Sequence, residues 1–195
     1  MDAITLLKAD HKSVEKLFKQ FEKAGADAHK TKQDIVAKVV EELSKHAVIE
    51  EQLFYPRVRT EVEEAEDVVL ESLEEHHVVK WVLSELDGMD PEAERFTAKM
   101  TVLMESVRHH VEEEEQELFP KVRGSMGRKA LTELGDAMEK AKKVAPPRPH
   151  PRAPDEPPGN IVAGMASSPV DAARKAGKEA VDKVEASVRK ATRRR

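Results

Sequence analysis

The protein has 195 residues, of which 36% are charged and 4% aromatic, a composition that favours helices with solvated faces over a β-sandwich. It has no cysteine, which excludes disulfides, thiolate zinc sites, iron–sulfur clusters and thiol catalysis. Residues 1–145 carry 22 Lys and Arg against 32 Asp and Glu and are too acidic to bind nucleic acid well, whereas residues 146–195 are basic, with 11 against 6.

The first three predicted elements are amphipathic helices, because apolar residues recur at spacings of three and four. One spans residues 2–24, and His11 lies within its apolar stripe. The next spans residues 30–55 and is expected to break or kink at Pro56. The third spans about residues 64–87 and ends at a glycine.

A fourth helix is predicted to begin at Asp90-Pro91, where an N-cap precedes a proline at the first helical position, and to run to about residue 119. A shorter helix over about residues 126–143 is expected to pack outside the other four. Because the connections are short, successive helices should be antiparallel neighbours. The predicted fold is an all-α, antiparallel up-down four-helix bundle with a short fifth helix, occupying residues 1–145.

The remaining residues are predicted to form a linker and a tail. Residues 146–158 contain seven prolines, so residues 146–168 are interpreted as an extended linker. Residues 169–195 are rich in Ala and Lys and predict a marginal or disordered basic helix, either a solubilising extension or a contact for nucleic acid or an anionic membrane. The sequence shows no membrane span and no secretory signal, so a cytoplasmic protein is expected.

One segment occurs twice. Residues 46–59 read HAVIEEQLFYPRVR, and residues 110–123 read HVEEEEQELFPKVR. In each copy a histidine is followed four residues later by a glutamate, as His46-Glu50 and His110-Glu114. Residues four apart lie on one face of an α-helix, so each pair points at one spot.

The first and third helices resemble each other as well. DHKSVEKLFKQF aligns with EHHVVKWVLSEL, which places His11 opposite His76. The bundle is therefore interpreted as a duplicated pair, in which a helix with one histidine precedes a helix with a histidine and a glutamate. Four helices then each direct a histidine into the bundle.

Burying an imidazole or a carboxylate costs free energy unless the group has a hydrogen-bond or charge partner. Two kinds of partner are possible here. One is a network of polar core residues. The favoured one is metal binding, for which four imidazoles and two carboxylates without sulfur indicate iron, manganese or zinc, with copper less suitable. We expect two iron ions with an oxo or hydroxo bridge, Glu50 and Glu114 bridging them, and an open position for a small ligand. No His-Glu-x-x-His stretch supports a zinc peptidase.

The segments DHKSVEKLF, HAVIEEQLFYP, EEHHVVKWVL and HHVEEEEQELFP resemble the hemerythrin-like, HHE cation-binding family over about residues 1–123. The resemblance implies that the iron ligands are His11, His46, Glu50, His76, His110 and Glu114. Oxygen-carrying hemerythrins have a His-x-x-x-His pair on the third helix, whereas Ser72 and Lys80 lie four residues from His76. Their fourth helix has a His-x-x-x-x-Asp spacing, and this chain has His-x-x-x-Glu. One histidine fewer implies a more open and more reactive centre.

Roles are also predicted for residues beside the expected ligands. His77 and His109 are expected at the surface or next to the ligands. The alternative is that one of them replaces its neighbouring histidine as a ligand. Glu51 and Glu115 recur in both copies, either to orient a ligand histidine or as solvated charges. Trp81 and Tyr55 are predicted to be packing residues.

The predicted function is a non-haem di-iron protein that binds or senses a small oxidant, namely dioxygen, peroxide or nitric oxide. One alternative is a redox enzyme that turns over peroxide or nitric oxide at the same centre. A second is an iron store or a structural metal bundle.

Overall fold

Five continuous helices make up residues 1–152, the part of the chain that the computed structural model describes. Their α-helical segments are α1 Ala3–Lys23, α2 His29–Ile49, α3 Tyr55–Glu61, α4 Glu66–Leu86, α5 Phe96–Glu113, α6 Phe119–Ser125 and α7 Arg128–Val144. A π-helical turn, Glu50–Phe54, joins α2 to α3, and another, Glu114–Leu118, joins α5 to α6. The predicted four-helix bundle with a short fifth helix is confirmed, and residues 1–152 contain no strand.

The two π-helical turns carry the helices past their prolines. Proline has no N–H group, and its ring clashes with the carbonyl four residues earlier in an α-helix. Each wider turn closes instead with a bond over five residues, from the Tyr55 N–H to the Glu50 carbonyl and from the Phe119 N–H to the Glu114 carbonyl. The second helix therefore continues through Pro56 to Glu61, where the sequence predicted a break or a kink.

The predicted start of the fourth helix at Asp90-Pro91 is wrong. The Asp90 carboxylate accepts a hydrogen bond from the Glu92 N–H at 2.9 Å, and the Asp90 carbonyl accepts one from the Ala93 N–H at 3.0 Å. These bonds close a turn instead of capping a helix. Helix α5 begins later, at Phe96, whose side chain is 1% exposed and anchors the helix in the core.

The bundle interior consists of two apolar clusters with a polar layer between them. One cluster includes Leu7, Phe54, Val69, Phe119 and Met138, and the other includes Phe18, Val39, Leu83, Met100 and Leu103. Along α1, α2, α4 and α5 the buried histidine lies between residues of the two clusters. The polar layer is thus enclosed by apolar side chains above and below.

Helix α7 packs against α1 and α2. Gly135 allows this approach, because a Cβ atom at this position would lie 2.2 Å from the carbonyl oxygen of Met1. After α7, Pro146 and Pro149 are buried, and Arg148 forms an ion pair with Asp87. The rest of the linker predicted over 146–168 and the tail predicted over 169–195 lie outside the described residues.

Within residues 1–152, no helix combines the length and the apolar character that crossing a membrane would require.

Candidate metal centre

One histidine from each of the four main helices reaches the polar layer. The His11 and His46 rings have centroids 5.0 Å apart, and the His76 and His110 rings have centroids 4.8 Å apart. All four residues are buried, with at most 6% of their surface exposed. The structure therefore groups the histidines in two pairs, as the duplication in the sequence predicts.

Two fully buried glutamates lie between the pairs. The Glu50 Oε2 atom is 3.0 Å from His46 Nε2 and 3.4 Å from His76 Nε2. The Glu114 Oε2 atom is 3.3 Å from His11 Nε2 and 3.7 Å from His110 Nε2. Each carboxylate thus reaches one histidine of each pair, and the first position of each π-helical turn holds it there.

Donor atoms converge here without enough hydrogen-bond partners. Both Glu50 carboxylate oxygens, Glu114 Oε2 and His11 Nε2 are buried and accept or donate no hydrogen bond. The Nε2 atoms of His76 and His110 face each other at 3.1 Å. Buried polar atoms left in this way are costly, and a cation compensates all of them at once. The residues present therefore fit a metal ion.

The converging atoms form two overlapping groups in which every donor lies within 4.8 Å of the others. The first group comprises His11, His46, Glu50 and Glu114, and the second comprises Glu50, His76 and His110. The two groups together contain all six residues predicted to be ligands. Nitrogen and oxygen donors without sulfur are consistent with the binding of metal ions such as iron.

A carboxylate from a neighbouring helix lies beside the Nδ1 atom of every one of these histidines. The Nδ1-to-oxygen distances are 3.0 Å for His11–Glu115, 3.5 Å for His46–Asp10, 3.1 Å for His76–Glu51 and 2.7 Å for His110–Glu75. The contacts form a closed ring around the bundle. The carboxylate of α1 contacts the histidine of α2, and the carboxylate that follows α2 contacts the histidine of α4. The carboxylate of α4 contacts the histidine of α5, and the carboxylate that follows α5 contacts the histidine of α1. An ionised carboxylate only accepts hydrogen bonds, so each Nδ1 carries the proton and each Nε2 is free to bind a metal.

Lysines hold three of these four carboxylates in place. The nitrogen-to-oxygen distances are 3.0 Å for Lys80–Glu51, 3.1 Å for Lys8–Glu115 and 2.6 Å for Lys142–Asp10. Although burial alone would raise the pKa of Asp10, its bonds to His46 and Lys142 lower it. Lys142 belongs to α7, so the fifth helix contacts the histidine shell through one carboxylate.

The charges in the layer also shift the histidines in opposite directions. Burial alone would lower the pKa of His46, but Glu50 and Asp10 raise it to about 10. Burial and the neighbouring charge of His110 lower the pKa of His76 to about 3. Without a metal, a protonated His46 therefore supplies part of the positive charge that the buried carboxylates need.

Tyr55 breaks the twofold symmetry of the site. Its hydroxyl donates a hydrogen bond to Glu114 Oε1 at 3.0 Å and lies 3.4 Å from His76 Nε2. Burial and the charge of Glu114 raise the pKa of Tyr55 well above its usual value, so the hydroxyl keeps its proton. At the equivalent position of the other repeat, the Phe119 ring stacks on His11. The predicted packing role of Tyr55 is therefore incomplete, because its hydroxyl is part of the polar layer.

The neighbouring histidines lie outside the layer. His77 and His109 are exposed on the surface, so neither replaces the adjacent histidine in the buried groups. Trp81 is 48% exposed, so the packing role predicted for it is wrong. Glu51 contacts His76 and Glu115 contacts His11, as one of the two sequence interpretations predicted.

Three further residues of the site, Asp10, Glu75 and Tyr55, were not among those predicted to belong to it. Asp10 directly precedes His11 and Glu75 directly precedes His76, at equivalent positions of the two duplicated helices. The acidic residue before both histidines indicates a shared role in the site. No such repetition points to Tyr55, since its counterpart Phe119 is apolar.

Comparison with known proteins agrees with this arrangement. Residues 2–122 match the family model of the hemerythrin HHE cation binding domain. An uncharacterised hemerythrin-like protein of Schizosaccharomyces pombe is 32% identical over 134 residues, 68% of this chain and 66% of that protein. A DNA nickase of a Nostoc strain is 27% identical over 142 residues, 73% of this chain but 39% of that protein.

A solved structure supports the fold. The crystal structure of a hemerythrin HHE cation binding domain-containing protein from Mycobacterium kansasii superposes with a TM-score of 0.63 at 22% identity, covering 73% of this chain and 86% of that one. The family match extends over both repeats of the bundle and all six converging histidines and glutamates. The chain therefore belongs to the hemerythrin HHE cation binding domain family.

Proposed function

We propose that this protein is a non-haem di-iron protein that binds or senses a small oxidant, namely dioxygen, peroxide or nitric oxide. The observation that carries the proposal is that Glu50 and Glu114 each reach one histidine of either pair. A carboxylate placed in this way suits a bridge between two ions. In this assignment His11 and His46 hold one ion, and His76 and His110 hold the other.

The donor chemistry supports iron. Four imidazoles with two carboxylates suit iron better than magnesium or calcium, which prefer oxygen ligands alone, and the chain has no thiolate for a cysteine-ligated zinc or copper(I) site. A bound iron pair supplies Lewis acidity and one-electron redox chemistry toward a small oxidant.

The protein's own residues orient and protect the centre. The carboxylate ring holds each histidine with its Nε2 atom toward the metals, and the two apolar clusters keep bulk water away. Where oxygen-carrying hemerythrins have a second histidine on the third helix, the positions four residues from His76 hold Ser72 and Lys80. With one histidine fewer, an external ligand could take the open position.

The alternative is a redox enzyme that turns over peroxide or nitric oxide at the same centre. The Tyr55 hydroxyl favours this alternative, because it is a protonated donor within the polar layer. Proton donors beside a metal centre assist the cleavage of oxygen–oxygen bonds.

A role in DNA cleavage has little support. The name of the Nostoc relative applies to the whole of that protein, and the matched region is 39% of it. Residues 1–145 of this chain are acidic, which disfavours contact with DNA. Contact between the basic tail and nucleic acid, like the cytoplasmic location, remains a prediction.

Metal analysis combined with an optical spectrum tests the proposal. We expect two irons per chain and an oxo-bridged ferric charge-transfer band. A ratio far from two, or no such band, would contradict the di-iron assignment. Added peroxide or nitric oxide then separates the functions: a stoichiometric spectral change supports a binding protein, whereas continued consumption supports the enzyme.

A further inference from the structure

A cavity of about 280 Å³ opens directly onto the four histidines of the polar layer. Its walls away from the histidines are largely apolar. The side chains that form them include Val14, Phe18, Leu43, Val79, Val107 and Val111. Glu50 and Glu114 do not line it, so the cavity lies on the face of the layer opposite the two carboxylates.

The mouth of the cavity lies between α1 and α5. Arg108 and Glu15 line both the cavity and a groove on the outer surface. Arg108 donates to Glu15 at 3.0 Å and to Glu22 at 2.9 Å, and its guanidinium lies 5.7 Å from the centre of the Phe18 ring. Since Glu15 and Glu22 both pair with this guanidinium, it lies at the mouth as a neutralised group and is not an anion receptor.

The cavity is much larger than a diatomic molecule or hydrogen peroxide requires. A water molecule occupies about 30 Å³ of liquid, and an apolar cavity of about 150 Å³ in another protein binds benzene. Pockets for drug-sized ligands, which are larger than benzene, begin at about 300 Å³. A volume of 280 Å³ therefore accommodates an organic group as well as the oxidant.

We propose that the cavity binds the organic group of a hydroperoxide, ROOH, with the peroxide directed at the polar layer and the group R against the valines and Phe18. This inference rests on the proposed function, since it takes peroxide as the oxidant. With a bound ferrous pair as the reductant, reduction would consume ROOH, two ferrous ions and two protons from solvent. It would break the oxygen–oxygen bond and yield ROH, water and two ferric ions.

The experiment compares hydroperoxides that differ in R. Ferrous-loaded full-length protein is mixed with hydrogen peroxide, tert-butyl hydroperoxide or cumene hydroperoxide, and the ferric absorption is followed by stopped flow. We expect cumene hydroperoxide to half-saturate the reaction at a concentration at least about tenfold lower than hydrogen peroxide, since a single methylene changes discrimination by about 10-fold or more.

Filling the cavity should remove this preference. Val107→Phe places a ring in the cavity, and Val102→Phe on the exposed face of the same helix is the matched control. We expect Val107→Phe to lose at least about tenfold more of its response to cumene hydroperoxide than of its response to hydrogen peroxide. Ala47→Leu adds a smaller group to the same wall and is used if Val107→Phe fails to load iron.

A binding measurement on metal-free protein needs no reaction. The alcohol 2-phenyl-2-propanol carries the same group R, so it should raise the melting temperature of the wild type and of Val102→Phe but not of Val107→Phe. Equal potency of the three peroxides, together with no effect of the alcohol, overturns the cavity inference and leaves the proposed function intact. An iron-loaded protein that responds to no oxidant overturns both.

Discussion

The hydroxyl of Tyr55 lies 3.0 Å from the Oε1 atom of Glu114, and this contact has no counterpart in the other half of the site. The equivalent residue, Phe119, stacks on His11 and cannot donate to Glu50. Glu50 therefore has no hydroxyl donor from this position, whereas Oε1 of Glu114 accepts a hydrogen bond from Tyr55. The two halves of a duplicated site thus differ chemically at a single aromatic residue.

Removing this hydroxyl should destabilise the metal-free protein. Tyr55→Phe reproduces the residue of the other repeat, so the packing is conserved while a buried hydrogen bond to a charged acceptor is lost. Such bonds contribute about 1.5–3 kcal/mol, and we expect a loss of that size in the free energy of unfolding measured with urea at pH 7. Unchanged stability would show that the hydroxyl does not donate to Glu114.

Both buried glutamates should be needed for iron loading, and Glu114 should also contribute to the stability of the metal-free protein. Loss of a hydrogen-bond partner of a metal ligand typically lowers metal affinity about 10- to 100-fold. Glu50→Gln and Glu114→Gln should lower iron affinity by more than this, because each removes a predicted ligand. Metal-free Glu114→Gln should be less stable than the wild type at pH 7: burial alone would raise the pKa of Glu114, but His110 and His11 lower it, so its ionised form stabilises the fold. Iron content and urea titration measure the two effects, with exposed Glu117→Gln as the control. Full iron loading in both variants would show that the bridging ligands are assigned wrongly.

The fifth helix should influence the metal affinity through Lys142. Lys142→Met removes the cation that holds Asp10 against His46, so iron affinity should fall about 10-fold. Lys143→Met, at the neighbouring and more exposed position, should leave it unchanged. Competition with a chelator measures the affinity, and equal values for the two variants would limit α7 to a packing role.

Two glycine substitutions should have opposite signs. Gly135→Ala forces a Cβ atom against the backbone of Met1 and should cost about 1–3 kcal/mol of stability. Gly124→Ala meets no atom within 4 Å and lies in α6, where alanine favours the helix by up to about 1 kcal/mol. Thermal unfolding of the two variants distinguishes them, and a shift of the same sign in both would contradict the close contact of α7 with the N-terminus.

The metal-free protein should lose stability as the pH falls. Burial and His110 lower the pKa of His76 from 6.5 to about 3, so the unfolded chain takes up this proton first and stability declines below about pH 6.5. Glu114 and Asp10 also have lowered pKa values, against ordinary values of 4.5 and 3.8, and their contributions are lost as the pH falls through that range. His46, with its raised pKa, is protonated in both states below about pH 6.5 and does not add to the decline.

Urea titrations between pH 7 and pH 3 in the presence of a chelator measure this dependence. Asp10→Asn should show a smaller loss below pH 4 than the wild type, because its side chain takes up no proton. A stability that is independent of pH would mean that the polar layer ionises as it does in the unfolded chain.

The sequence by itself determined the helices, the duplication and the six residues that converge. Helical periodicity decides which face a side chain occupies, so His46 and Glu50 had to point into the bundle together, as did His110 and Glu114. The same periodicity could not show that the helices pass through Pro56 and Pro120, because the π-helical turns depend on hydrogen bonds that the pattern does not encode.

Only the tertiary structure decided which residues meet across helices. The ring in which Asp10, Glu51, Glu75 and Glu115 each support the histidine of the next helix depends on the stagger and rotation of neighbouring helices. So does the placement of Tyr55 beside Glu114 and of Lys142 beside Asp10. Periodicity specifies which side chains share one face of a helix. The packing of side chains at each interface decides how neighbouring helices are staggered and rotated, and therefore which of these side chains meet.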